Sequence, residues 1–123
     1  MILQLGQVML YVEDLEQAKA FWTEKLGFEV ISDVDNGLRI ITIAPTDEAQ
    51  TSLVLHDKKK IQAMSPELNL GTPSLMFYAD HVESLYDEFK VKGITVGELV
   101  SMGFGKVFNF ADDEGNYFAI TEK

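Results

Sequence analysis

A doubled pattern constrains this chain more than any other feature. "QVMLYVED" at residues 7 to 14 returns as "SLMFYAD" at residues 74 to 80, with Met9 matched by Met76, Tyr11 by Tyr78, and an aspartate closing each run. Such self-similarity signals two copies of one supersecondary unit. After each aspartate an apolar stripe recurs at helical spacing: Leu15, Ala18, Phe21, Trp22 and Leu26 in the first copy, Val82, Leu85, Tyr86 and Phe89 in the second. Asp14 with Gln17, and Asp80 with Glu83, have the spacing of a capping box, in which the acid accepts from early backbone N–H groups. Gly27 and Gly93 stand where a left-handed residue commonly ends a helix.

Segments rich in β-branched and aromatic residues follow each glycine. The first copy gives "FEVISDV", "LRIITIAP" and "TSLVLH"; the second gives "ITVGELV", "KVFNFAD" and "YFAITE". Asp35-Asn36-Gly37 and Asp113-Glu114-Gly115 mark turns, and "SMGFG" reads as a glycine-rich loop, either a flap or a simple hairpin turn. The order is strand, helix, three strands, twice over. It predicts an α+β fold of two βαβββ modules whose curved mixed sheets surround a cup-shaped cavity. The expected organisation is one domain over residues 1–123: module one at about 1–57, a connector at about 58–72 with one short helix and a solvated lysine run, and module two at about 73–123.

Composition narrows the function classes. With 123 residues there is room for one core, and 46% hydrophobic residues are enough to fill it. Twenty acids against ten bases give a formal charge of -10, which repels phosphate backbones and anionic lipid, so nucleic acid and membrane surfaces are not expected partners. The chain has no cysteine, which excludes disulfides and thiolate chemistry. Its start, "MILQLGQVML", lacks the basic region and cleavage site of a signal peptide, and no apolar stretch is long enough to suggest a membrane span. The expected location is cytoplasmic.

Strand alternation assigns faces, because residues two apart share a side. Gln7, Met9 and Tyr11 fall together on the first strand, and Ser74, Met76 and Tyr78 on the fifth; these mixed sets are expected to line the cup. The opposite sets, Val8, Leu10, Val12 and Leu75, Phe77, Ala79, are wholly apolar and suit the underside of a helix. Arg39 and Lys106 occupy equivalent places in the repeat. Facing the cup they would form a cationic rim able to hold a carboxylate; otherwise they are solubilising charges of the sheet edge. Phe108 with the tyrosines and methionines describes either an aromatic and thioether-lined pocket or ordinary core packing.

"QVMLYVEDLEQAKAFWTEKLGFEV" resembles the opening module of the vicinal oxygen chelate superfamily (glyoxalase I, bleomycin-resistance proteins, extradiol dioxygenases), and "FADDEGNYFAI" resembles its closing turn and strand. The resemblance covers nearly the whole chain through the paired modules. In the family's enzymes a metal is held by four cup-facing residues, one on each of four strands. The resemblance places those positions at Gln7, at about Leu53, at Ser74 and at Ala119. Leu53 and Ala119 have no donor atom, and a serine hydroxyl is a poor neutral ligand, so neither a metal nor another cofactor is expected.

The resemblance implies a glyoxalase or bleomycin-resistance-like protein that binds a small organic molecule in a metal-free cavity. The alternative is a metal-dependent lyase, isomerase or dioxygenase of the same superfamily with an atypical site, so whether the chain is an enzyme stays open. A third reading is a structural or regulatory dimer whose cup is filled by its own side chains. The expected ligand pocket comprises Gln7, Met9, Tyr11, Arg39, Leu53, Ser74, Met76, Tyr78, Lys106, Phe108 and Ala119, in a homodimer.

Overall fold

The computed structural model describes residues 1–123 as two compact units, Met1–Thr72 and Pro73–Lys123. The first unit carries β1 (Gln7–Val12), α1 (Leu15–Ala20), β2 (Glu29–Asp35), β3 (Arg39–Ala44), β4 (Ser52–Asp57) and α2 (Lys58–Met64). The second carries β5 (Met76–Ala79), α3 (Val82–Val91), β6 (Val100–Met102), β7 (Gly105–Ala111) and β8 (Tyr117–Glu122). Each unit contains one four-stranded sheet, ordered β1-β4-β3-β2 in the first and β5-β8-β7-β6 in the second. In each, the first strand of the module pairs in parallel with the last, and the other pairings are antiparallel. The two βαβββ modules read from the repeat are therefore present.

Local chemistry explains the first helix. The Asp14 carboxylate accepts from the Gln17 backbone N–H at 3.0 Å, and the helix continues past α1 as a wider π-helical turn over Phe21–Lys25. Both Phe21 and Trp22 are buried at that turn, Trp22 packing edge-on against Phe28 with ring centroids 5.1 Å apart. Gly27 then takes a φ of 80°, a left-handed conformation that costs glycine little. Leu10, Val12, Ile41, Ile43, Leu53 and Leu55 complete the core of this unit. At roughly 25 cal/mol for each Å² of apolar surface removed from water, this burial is the main force holding sheet to helix.

The second unit is organised around phenylalanines. Phe89 of α3 lies edge-on to Phe108 and Phe110 of β7 at 5.6 and 5.4 Å, and Phe110 meets Phe118 of β8 at 5.8 Å. The β7–β8 turn is fixed by Asp112, whose carboxylate accepts from the backbone N–H groups of Glu114 and Asn116 at 2.9 and 2.8 Å.

Two local expectations are corrected. Asp80 does not cap α3: His81 occupies the N-cap with a φ of 49° and makes no side-chain capping bond. The expected strand over "ITVGELV" reduces to a single bridge, Val96 to Phe110, and pairing resumes only at Val100. Ser101 and Met102 belong to a hairpin whose tip is Gly103-Phe104, the hairpin alternative for "SMGFG". In the connector, the lysine run opens α2, with Asp57 accepting from the Lys60 N–H, and all of α2 lies in the first unit.

Candidate functional site

Each sheet has one face turned to its helix and an opposite, helix-free face, the open face, on which Val54, Thr42 and Thr121 are nevertheless buried. Register settles which residues lie on which. In the first sheet Gln7 pairs with Ser52, Met9 with Val54 and Tyr11 with His56, while Thr42 of β3 stands opposite Val54 and Ile40 opposite His56. Paired residues point to one side, so Gln7, Met9, Tyr11, Ser52, Val54, His56, Ile40 and Thr42 form the open face. None of these eight bears a formal charge; Ser32 and Val34 of β2 continue the same side, and Glu29, paired with Ala44, adds an acid at its far edge. In the second sheet the corresponding face comprises Met76 and Tyr78 of β5, Ala119 and Thr121 of β8, and Val107 and Asn109 of β7, again without a charge.

The centre of the first open face is a three-residue cluster. The imidazole of His56 stacks on the ring of Tyr11, with centroids 5.6 Å apart and planes 24° from parallel. His56 Nε2 lies 3.2 Å from the sulfur of Met9, a residue that is itself 36% exposed. His56 Nδ1 is enclosed and has no hydrogen-bond partner. Burial pushes the imidazole pKa down, which favours a neutral ring. On the second sheet the equivalent of the Tyr11–His56 pair is Tyr78 beside Thr121, with Tyr78 69% exposed.

The charges that sequence analysis considered for the rim lie elsewhere. Arg39 shares the helix side of the first sheet with Asp33. Its Nε and Nη2 donate to the two Asp33 carboxylate oxygens at 3.0 and 2.8 Å, and its Nη1 donates to Glu16 of α1. Lys19 of α1 adds a bond to Asp33 at 2.8 Å. These donors, Arg39 foremost, hold the Asp33 carboxyl well below the usual carboxylate range, while Asp33 and then Glu16 raise the Arg39 guanidinium above its ordinary value. Lys106 pairs with Glu83 of α3 in the same manner. Both cations tie sheet to helix, and neither joins the open face.

Two further positions are corrected. Leu53 is 5% exposed and pairs with Val8 and Ile43, so it belongs to the core under α1. Phe108 is 1% exposed and packs against Tyr86 and Phe89 of α3. Of the expected residues, Gln7, Met9 and Tyr11 do meet on one open face, and Met76, Tyr78 and Ala119 on the other. Ser74 is exposed but lies before the start of β5. His56 was missed. No local signal marked its side, because Leu53, Val54 and Leu55 form a buried run in which alternation is lost.

The same register tests the metal positions. On β4 the residues that share Gln7's face are Ser52, Val54 and His56, so the metal-facing position cannot be Leu53. No three His, Cys, Asp or Glu side chains come together as a group that could hold an ion. An amide, a hydroxyl and one imidazole leave a divalent cation without the carboxylates that balance its charge. The residues present therefore do not fit the metal centre of the family's enzymes.

Paired βαβββ modules define the class, and comparison with known proteins makes it specific. The chain belongs to the Glyoxalase/Bleomycin resistance protein/Dioxygenase superfamily, whose family model matches residues 4–120. It is 35% identical over 125 residues to YetH, an uncharacterized protein of Bacillus subtilis (strain 168), covering 99% of this chain and 100% of that one. Among solved structures it is similar to UcmS2, at 31% identity, a TM-score of 0.82 and full coverage of both chains (100% and 100%). It is also similar to TnmS3, an antibiotic binding protein from Streptomyces sp. CB03234, at 27% identity and a TM-score of 0.84, covering 98% of this chain and 96% of the other. No helix is long and apolar enough to cross a membrane.

Proposed function

We propose that the protein binds a small organic molecule on the open faces of its sheets without using a metal. The observation that carries this reading is the first open face itself, where Met9, Tyr11 and His56 form a partly exposed aromatic and thioether surface free of charge. Such surfaces suit ligands that are mainly apolar and need a few placed polar contacts. The similarity to TnmS3, an antibiotic binding protein, supports the same class of activity. The enzyme reading has less behind it, because the residues at the metal-facing positions supply no set of charged ligands.

The protein acts as a homodimer in the cytoplasm in this account. β1 and β5 are edge strands of their sheets, and Met1, Ile2, Leu3 and Leu5 place exposed apolar side chains just before β1. Edges and apolar surface of this kind favour pairing with a second chain.

The test is a backbone amide NMR titration of the metal-stripped full chain with a library of flat organic molecules. Binding that shifts the amides around Met9, Tyr11, Val54 and His56 is the expected result. Shifts confined to the helix faces, or none across the library, would overturn the reading. Sedimentation of the same sample checks the dimer.

A further inference from the structure

Resting on the reading of the open face as the binding surface, we propose that His56 selects the ligand, taking flat, uncharged conjugated molecules that carry a carbonyl oxygen, with Nε2–H as donor. A neutral imidazole has one N–H and one lone pair. Nδ1 is enclosed with no partner, and an enclosed N–H without an acceptor costs more than an enclosed lone pair without a donor. The proton therefore sits on Nε2. There its one acceptor is the thioether of Met9 at 3.2 Å, and a thioether is a weak acceptor that a carbonyl oxygen outcompetes.

Shape and charge follow from the neighbours. Tyr11 stacks with His56, and side chains of a strand stand roughly upright from the sheet, so the two rings offer their edges to whatever lies above. Ring edges are the positive part of an aromatic quadrupole and favour the face of a flat π-system. Beside them on this side are Val54 and Thr42, both buried, and half-buried Ile40, none of them charged, while the acid of this side, Glu29, stands on β2 opposite Ala44, beyond Thr42. The charges of this unit that do pair, Arg39, Asp33, Lys19 and Glu16, are on the helix side. The half-buried imidazole, held neutral by its burial, fits an uncharged acceptor better than one that must be desolvated as an ion.

Three probes of one shape test this on the full chain: methyl naphthyl ketone, ethylnaphthalene, which lacks the oxygen, and naphthoate, which is anionic. The ketone is expected to bind about fivefold or more tightly than the hydrocarbon, the scale of one net hydrogen bond. His56→Phe should remove that preference while still binding ethylnaphthalene, and His56→Gln, which keeps an N–H donor, should retain part of it. In case His56→Phe does not fold, two other readouts decide. Met9→Leu, which removes the competing acceptor, should bind the ketone at least as tightly as the parent. The side-chain nitrogen spectrum of the parent should show Nε2 protonated and shifting as ketone is added. Equal affinity of the parent for ketone and hydrocarbon, a ketone preference that survives His56→Phe, tighter binding of naphthoate than of ketone, weaker ketone binding by Met9→Leu, or no Nε2 shift would each overturn the role of His56 and leave the open face as a binding surface. Failure of all three probes to bind would overturn both.

Discussion

The rings of Tyr11 and His56 lie 5.6 Å apart and nearly parallel, on neighbouring strands joined by the parallel pairing of β1 with β4. Because the first strand of the module pairs with its last, residues 45 positions apart in the sequence become neighbours on one face. That contact, with Met9 beside it, gives the open face its chemical character.

The first prediction concerns the proton on His56. Its folded pKa is depressed by burial, so the folded state resists protonation more than the unfolded state does. Stability from this source is full above the unfolded value of about 6.5 and falls as pH drops below it toward the folded value. An NMR titration of the two imidazoles should place His56 below about 6.5, and His56→Phe should flatten the pH dependence of the urea midpoint just under that value. A His56 pKa above the ordinary value would contradict the enclosed ring.

Leu53 and Phe108 should behave as core residues. Leu53→Ala is expected to cost about 2–5 kcal/mol and Phe108→Ala about 3–5 kcal/mol in urea unfolding, the range for cavities left by buried side chains. Met9→Ala and Met76→Ala, on partly exposed side chains, should cost about 1 kcal/mol or less while changing ligand affinity. Comparing unfolding with affinity in all four variants separates the two classes.

A third expectation follows from the cluster that joins α1 to the first sheet. The carboxyl pKa of Asp33 is lowered in the fold by Arg39 and Lys19. Its contribution is therefore present above the unfolded value of about 4 and is lost as pH falls through the folded value. Asp33→Asn should lower the urea midpoint at neutral pH, and the gap to the parent should narrow as pH falls below about 4. Arg39→Lys should recover only part of an Arg39→Ala loss, since a lysine cannot make the two-pronged contact. Ligand affinity should not follow these changes, because the cluster lies on the helix face.

Gly27 offers a test of backbone strain alone. A Cβ built there meets nothing within 4 Å, yet φ is 80°. Gly27→Ala should therefore lower stability by about 1–2 kcal/mol through conformation, without a clash. No loss would contradict a left-handed residue at the helix end.

The repeat made most of the fold legible. Met9 with Met76 and Tyr11 with Tyr78 located equivalent strands, and alternation placed Leu10 and Val12 in the core correctly. Faces could not be read on β4, because Leu53, Val54 and Leu55 are buried on both sides of the sheet and alternation vanishes in such a run. Only pairing with β1 fixes the side, and pairing over that distance leaves no local mark. Arg39 failed for a related reason: its partners Asp33 and Glu16 come from β2 and α1, and a bulge between Val30 and Ser32 shifts the register that brings Asp33 opposite Ile41. For α3, the sequence Asp80-His81-Val82-Glu83 carries an acceptable capping spacing, but the chain enters the helix one residue later, through a left-handed His81.

The most direct test of a metal-free binding face is calorimetry of methyl naphthyl ketone against the chelated, metal-stripped protein, repeated after adding nickel, zinc, manganese or ferrous ion. The expected result is the same affinity in every sample and no stoichiometric uptake of any ion. Tight binding of one ion per chain, with ketone affinity that disappears on chelation and returns with the ion, would contradict it.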